Sequence, residues 1–193
     1  IERKLILPTA SWQISNGEIT IHPYKERIYS LLKGRIASFF TNGIIFDSEI
    51  SDNLHSNSRS TINISIDAGT AESYFKVKGI DVFDKVCENL TKYYENSARD
   101  GQIIVKYIVL PGMNDSDYDY YSLMELMKRL HVKNLQVSRD VHFTYNMTNY
   151  EHQQLLSSVA KLVNICMKNQ VTPVLGVYSR EEDERIKELA RLI

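Results

Sequence analysis

Polar side chains recur at every second position inside otherwise apolar runs of this chain. Asn63, Ser65 and Asp67 alternate with Ile62, Ile64 and Ile66, and Gln136, Ser138 and Asp140 fall on one side of a later run. Ser11, Gln13 and Ser15 do the same near the start, and Lys106 stands alone in Ile103–Leu110. A period of two places the polar members of each run on one face of a β-strand. Burying so many polar groups dry would be costly. Together the faces read as the wall of a hydrated ligand-binding space, although neighbouring backbone can satisfy any single one. Lys106 reads either as a cation aimed at a carboxylate or phosphate, or as a side chain snorkelling from an edge strand. Arg139 beside Asp140 reads as a substrate clamp or an internal ion pair.

Other reactive types give less. Cys87 and Cys166 each fall on the apolar stripe of a predicted helix and read as buried free thiols. His22, His55, His131, His142 and His152 show no metal-ligand spacing, so no metal site is assigned. Tyr118, Tyr120 and Tyr121 have no basic patch beside them, which nucleic-acid binding would need. The net charge of −1 argues against nucleic acid and anionic membrane as partners. No apolar run approaches a membrane span, and with no secretory signal we expect a cytoplasmic protein. The chain opens Ile1-Glu2-Arg3-Lys4 without methionine, and we expect that to be a cut end.

Alternating strands and helices must position these residues. Strands are predicted over Ala10–Ser15, Arg35–Phe40, Ser60–Ala68, Ile103–Leu110, Leu135–Asp140 and Val171–Val177, with Leu5–Leu7 a further short candidate. Helical spacing predicts a face of Tyr24, Ile28, Leu31 and Leu32 after Pro23, and another of Phe83, Val86, Cys87, Leu90 and Tyr94. Ser116, Thr148 and Ser179 are predicted N-caps, the last two opening capping boxes with Glu151 and Glu182. Ile186, Leu189 and Ile193 are predicted to turn inward from the last helix. The alternation lacks hairpin signals and predicts one α/β domain over residues 1–193 with a parallel sheet. Ligands of such sheets bind at the strand C-termini.

Several segments, taken in order, resemble a known family. Asn16-Gly17-Glu18-Ile19-Thr20-Ile21-His22-Pro23 is similar to the Gly-Gly-Glu-Pro segment of radical S-adenosylmethionine enzymes. Thr41-Asn42-Gly43 resembles the end of their next strand, and Ser65-Ile66-Asp67-Ala68 their Ser-hydrophobic-Asp strand. The run from Tyr74 to Leu90, and Val109-Leu110-Pro111-Gly112-Met113-Asn114-Asp115, follow in the family's order. The resemblance spans roughly residues 10–140 and implies a partial (β/α)6 TIM-like barrel of parallel strands. Its implied chemistry is reductive cleavage of S-adenosylmethionine at a [4Fe–4S] cluster. It also implies that Asn16, Gly17 and Glu18 meet the methionine ammonium and Ser65 the ribose or carboxylate. Asp67 and Lys106 join them as cofactor-side residues, and Asn42, Gln136, Ser138, Arg139 and Asp140 as substrate-side residues.

The chain departs from the family at two points. Asn16 and Ile19 replace a glycine and a proline, and no Cys-x3-Cys-x2-Cys segment precedes Asn16. Three thiolates are what such a cluster needs, so these 193 residues are expected to be inactive alone. The cluster loop and the first βα unit are expected within about 50 residues upstream, one βα unit of chain. Two alternatives stay open. One is a non-catalytic barrel that binds a ligand or partner. The other is a metal-dependent isomerase or hydrolase using Glu18, Asp67, Asp140 and His142. The substrate is not named by any residue.

Overall fold

β-Branched and aromatic runs stopped by Gly, Asn and Asp turns build the strands, and capped amphipathic segments build the helices between them. The structure, a computed structural model, describes residues 9–15, 17–140 and 147–193. Its strands are β1 (Trp12–Ile14), β2 (Ala37–Thr41), β3 (Thr61–Ser65), β4 (Ile103–Val109), β5 (Asn134–Arg139) and β6 (Thr172–Gly176). They form one unclosed parallel sheet in the order β1-β2-β3-β4-β5-β6, the arrangement of a partial TIM-like barrel. The described helices are α1 (Lys25–Leu32), α2 (Ser48–Ser56), α3 (Ala71–Lys78), α4 (Phe83–Asn96), α5 (Asp117–Arg129), α6 (Asn149–Lys168) and α7 (Arg180–Leu192). A single 3-10 turn, Ile19–Ile21, follows β1. Leu5–Leu7, Asn16 and His142 lie outside the described residues.

The elements divide into two compact units. One runs to Ser65 and includes Lys85–Ile104; the other takes Ile66–Asp84 and the chain from Val105 on. In the first unit Phe39, Ile50, Leu54, Ile62, Ile64, Val86 and Leu90 are buried between strands and helices. Fully burying such a side chain is worth about 1.5–3 kcal/mol. In the second, Tyr107 of β4 meets Tyr120 of α5 edge-on, centroids 6.0 Å apart, over a core that includes Leu123, Val137, Val159 and Cys166.

Helix faces differ from the predicted stripes in three places. α1 buries Tyr29 and Leu32 and leaves Tyr24 and Leu31 exposed. α4 buries Tyr93 rather than Tyr94, because Tyr93 stacks on Phe46 with centroids 4.8 Å apart and accepts the Asp47 backbone N–H. Ile193, beyond the last turn of α7, is exposed. The predicted caps are present: Ser116 on α5, with Thr148 and Ser179 in reciprocal capping boxes.

Candidate functional site

The loop after β1 and the C-terminal end of β2 are tied together by one carboxylate. Glu18 caps the 3-10 turn after β1. Its Oε1 accepts Thr20 Oγ1 and Thr41 Oγ1, both at 2.8 Å, and the Thr20 amide at 3.3 Å. Its Oε2 accepts the Asn42 amide at 2.7 Å. A carboxylate has about four acceptor sites, and among the described residues Oε2 accepts only the Asn42 amide. Thr41 Oγ1 also accepts the Gly43 amide, and Asn42 Oδ1 accepts the Ile44 amide. From α4 the buried Asn89 donates to the carbonyls of Gly43 at 2.9 Å and Ile44 at 3.0 Å.

Two glycines make this arrangement possible for different reasons. Gly17 has φ +141° with open space where a Cβ would stand, so only its backbone conformation calls for glycine. Gly43 has φ +74°, and a Cβ there would come within 2.8 Å of Ile64 Cγ2 and 3.1 Å of Val86 Cγ1. Ser65, half-exposed at the end of β3, completes the residues that this unit presents. Asn89 carries no sequence signal, because a polar residue on an amphipathic helix reads as solvated.

In the second unit the end of β3 continues into Asp67, which is 2 % exposed and has φ +55°. Its Oδ1 accepts the Ile108 amide at 2.6 Å and its Oδ2 pairs with Lys78. The sequence places Asp67 on a cofactor wall; the structure has both its oxygens engaged by this chain. The fully buried Asn114 closes the loop after β4: Nδ2 donates to the carbonyls of Asp67 and Ile108, each at 2.8 Å, and Oδ1 accepts the Leu110 amide. The Pro111–Asp115 motif is therefore loop chemistry in this unit, with Asp115 accepting Gly112 N and Ser158 Oγ.

Lys106 is half-buried, and no described carboxylate pairs with it. Gln136 and Ser138 share one face of β5. Arg139 turns to Glu182 of α7, with Nη1 2.5 Å from Oε1, and lies 5.4 Å from the Tyr178 ring centre. His152 Nε2 meets the same Oε1 at 2.7 Å, and the Ser179 amide reaches Oε2 at 2.7 Å. Burial alone would raise the Glu182 carboxyl, but the Ser179 amide, then His152 and Arg139, outweigh it and bring the pKa to about 2. Of the two readings of Arg139, the structure has an internal ion pair, made with Glu182. His152 and Glu182 were not legible as partners, since the tertiary fold alone brings α6 and α7 to β5. Asp140 is half-exposed after β5.

The residues present do not fit a [4Fe–4S] cluster. Both cysteines are buried, and burial pushes the Cys166 thiol up to about 12, away from the thiolate that a cluster takes. Among the described residues no three His, Cys, Asp or Glu side chains gather as a metal site. None of the described helices is long and apolar enough to cross a membrane.

No protein-family profile and no curated protein sequence matches the chain. Solved structures do. SuiB from Streptococcus suis, in its complex with S-adenosylmethionine, matches with a TM-score of 0.65 at 12% identity, over 93% of this chain and 40% of SuiB. The fold is that of the radical S-adenosylmethionine enzymes. A domain of a pyruvate-formate lyase-activating enzyme from Bacteroides vulgatus matches with a TM-score of 0.60 at 12% identity, over 85% of this chain and 97% of that domain. A radical SAM methyltransferase from Sphaerobacter thermophilus gives 0.51 at 14% identity, over 76% and 41%. The chain thus spans about two fifths of the length of SuiB and of the methyltransferase. In this chain Gly17, Glu18, Asn42 and Ser65 stand at or just beyond the C-terminal ends of β1, β2 and β3.

Proposed function

We propose that this chain is the S-adenosylmethionine-binding part of a radical SAM enzyme, with its [4Fe–4S] cluster held by cysteines outside these 193 residues. The observation that carries the reading is Glu18. It fixes the loop after β1 to the end of β2, and its Oε2, which among the described residues accepts only the Asn42 amide, would take an ammonium group. Gly17 leaves its side-chain position open beside that carboxylate. Ser65 offers a hydroxyl to a ribose or carboxylate. In this family S-adenosylmethionine, when bound to a reduced cluster, supplies a 5′-deoxyadenosyl radical. On this reading the residues of the chain bind and orient that cofactor, and alone they do not cleave it.

Calorimetry of the 193-residue chain with S-adenosylmethionine tests the proposal. Saturable binding is expected without iron, weakened several-fold in Gly17→Ala, where only backbone conformation is disturbed. Absence of binding at millimolar cofactor would overturn it. In the full-length gene product, anaerobic addition of iron and sulfide should give cluster absorbance and release of 5′-deoxyadenosine under reduction.

A further inference from the structure

One face of β4, β5 and β6 in the second unit is equipped for a ligand that the residues around Glu18 do not account for. Val105, Tyr107 and Val109 of β4 are buried on the opposite side, where Tyr107 packs on α5. Lys106 and Ile108 share the half-exposed side. On β5, Gln136 and Ser138 face Gly176, and Gly176 pairs in register with Ser138. A Cβ on Gly176 would lie 3.0 Å from both Gln136 Nε2 and Ser138 Oγ, so glycine leaves a bare floor under two polar groups. Ser138 is 1 % exposed, and its hydroxyl has no partner. A buried hydroxyl left unpaired costs about 1–3 kcal/mol. Lys106 and Gln136 lie on strands that neighbour each other in the sheet, and such strands lie about 4.8 Å apart.

We propose that Lys106, Gln136 and Ser138, over the floor left by Gly176, bind the carboxylate of the substrate. The donors are one ammonium, one amide N–H and one hydroxyl. That set matches a single negative charge spread over two oxygens. A phosphate would bring a second charge that no cation on this face meets, and Asp140, on the same side of the run as Gln136 and Ser138, would disfavour it further than a singly charged carboxylate. Ile108, two residues on from Lys106 in β4, adds aliphatic surface, which suits an apolar body behind the carboxylate. Calling the ligand a substrate rests on the radical SAM reading above; the carboxylate site itself does not.

The test is an NMR titration of the full chain with hexanoate, with hexanamide as the uncharged control. Hexanoate is expected to shift the side-chain signals of Lys106 and Gln136 and to bind at least tenfold more tightly than hexanamide. Lys106→Met should weaken hexanoate at least tenfold and Gly176→Ala several-fold. Only the ends of two flexible side chains crowd that new methyl group, so Gly176→Ala should melt within a few degrees of the parent. Equal binding of hexanamide, no binding of hexanoate, or unchanged affinity in Lys106→Met would overturn the site. Saturating S-adenosylmethionine should leave hexanoate affinity unchanged. Displacement would instead assign the carboxylate to the cofactor's own methionine and overturn the substrate reading. Cofactor binding measured without hexanoate reports separately on the radical SAM proposal.

Discussion

Replacing Glu18 separates two roles that a strand-end carboxylate can have. Glu18→Ala removes the acceptor of the Asn42 amide, of two buried threonine hydroxyls and of the Thr20 amide. Hydrogen bonds to a charged acceptor contribute about 1.5–3 kcal/mol each and are not additive. The hydroxyls can turn to other acceptors, and Thr41 Oγ1 keeps the Gly43 amide. The loss should therefore come mainly from the Asn42 bond and the cap, about 3 kcal/mol in total. Glu18→Gln keeps one carbonyl oxygen, which must face the Asn42 amide because a backbone donor cannot reverse. Its NH2 then faces the Thr20 and Thr41 hydroxyls, which can accept, and the Thr20 amide, which loses its acceptor, so the cost falls to about 1–2 kcal/mol. Urea unfolding of the two variants reads these differences directly. Calorimetry adds the functional arm: on the reading proposed above, Gln should lose cofactor affinity more than stability, since the ammonium would lose its anionic partner. A loss below about 1 kcal/mol in Glu18→Ala, or equal losses in both variants, would refute the strap.

Two further outcomes are expected. Gly69→Ala would set a methyl carbon 1.9 Å from the Asp119 carbonyl oxygen and 3.0 Å from the Leu123 amide nitrogen, both backbone atoms of α5. It should cost about 3 kcal/mol or more by overpacking, whereas Gly17→Ala, with nothing near the new carbon, should cost about 1 kcal/mol; paired urea melts measure both, and equal losses would contradict the crowding at Gly69. Glu182 has its folded pKa lowered to about 2, so its contribution is complete above the unfolded value near 4.5 and is lost as pH falls from there toward 2. Its side chain is 13% exposed, and after allowance for screening the loss is about 2 kcal/mol. Hydrogen exchange in α7 should rise over that window, and in Glu182→Gln the rise should be absent.

Periodicity and caps carried most of the fold. The alternation around Ile62, Ile64 and Ile66, the capping boxes at Thr148 and Ser179, and the breaks at Gly43 and Gly79 are local signals, and the corresponding elements lie within one to three residues of expectation, β3 ending at Ser65 rather than Ala68. The strand-end positions followed from the same pattern. What each polar side chain does there did not. Asp67 and Asn114 are keyed to backbone atoms of other segments, a match that only the packed chain creates. Gly69 has no unusual backbone angle to announce it; its requirement is purely the nearness of α5. Glu182 reads as one half of a capping box, and its second duty toward Arg139 and His152 needs three elements to meet.

The turn after β2 carries a consequence for discrimination among nucleotides. Its amides at Asn42, Gly43 and Ile44 all donate within the chain, and the carbonyls of Gly43 and Ile44 both receive Asn89. The next helix, α2, has Asp47 over its N-terminus. A phosphate tail needs unspent backbone N–H groups of the kind that a glycine-rich loop or an open helix start provides. At the turn they are spent, and Glu18 adds a negative charge beside them. On the reading proposed above, a phosphate tail placed at this turn would meet repulsion from Glu18, while a cationic sulfonium compound would meet none.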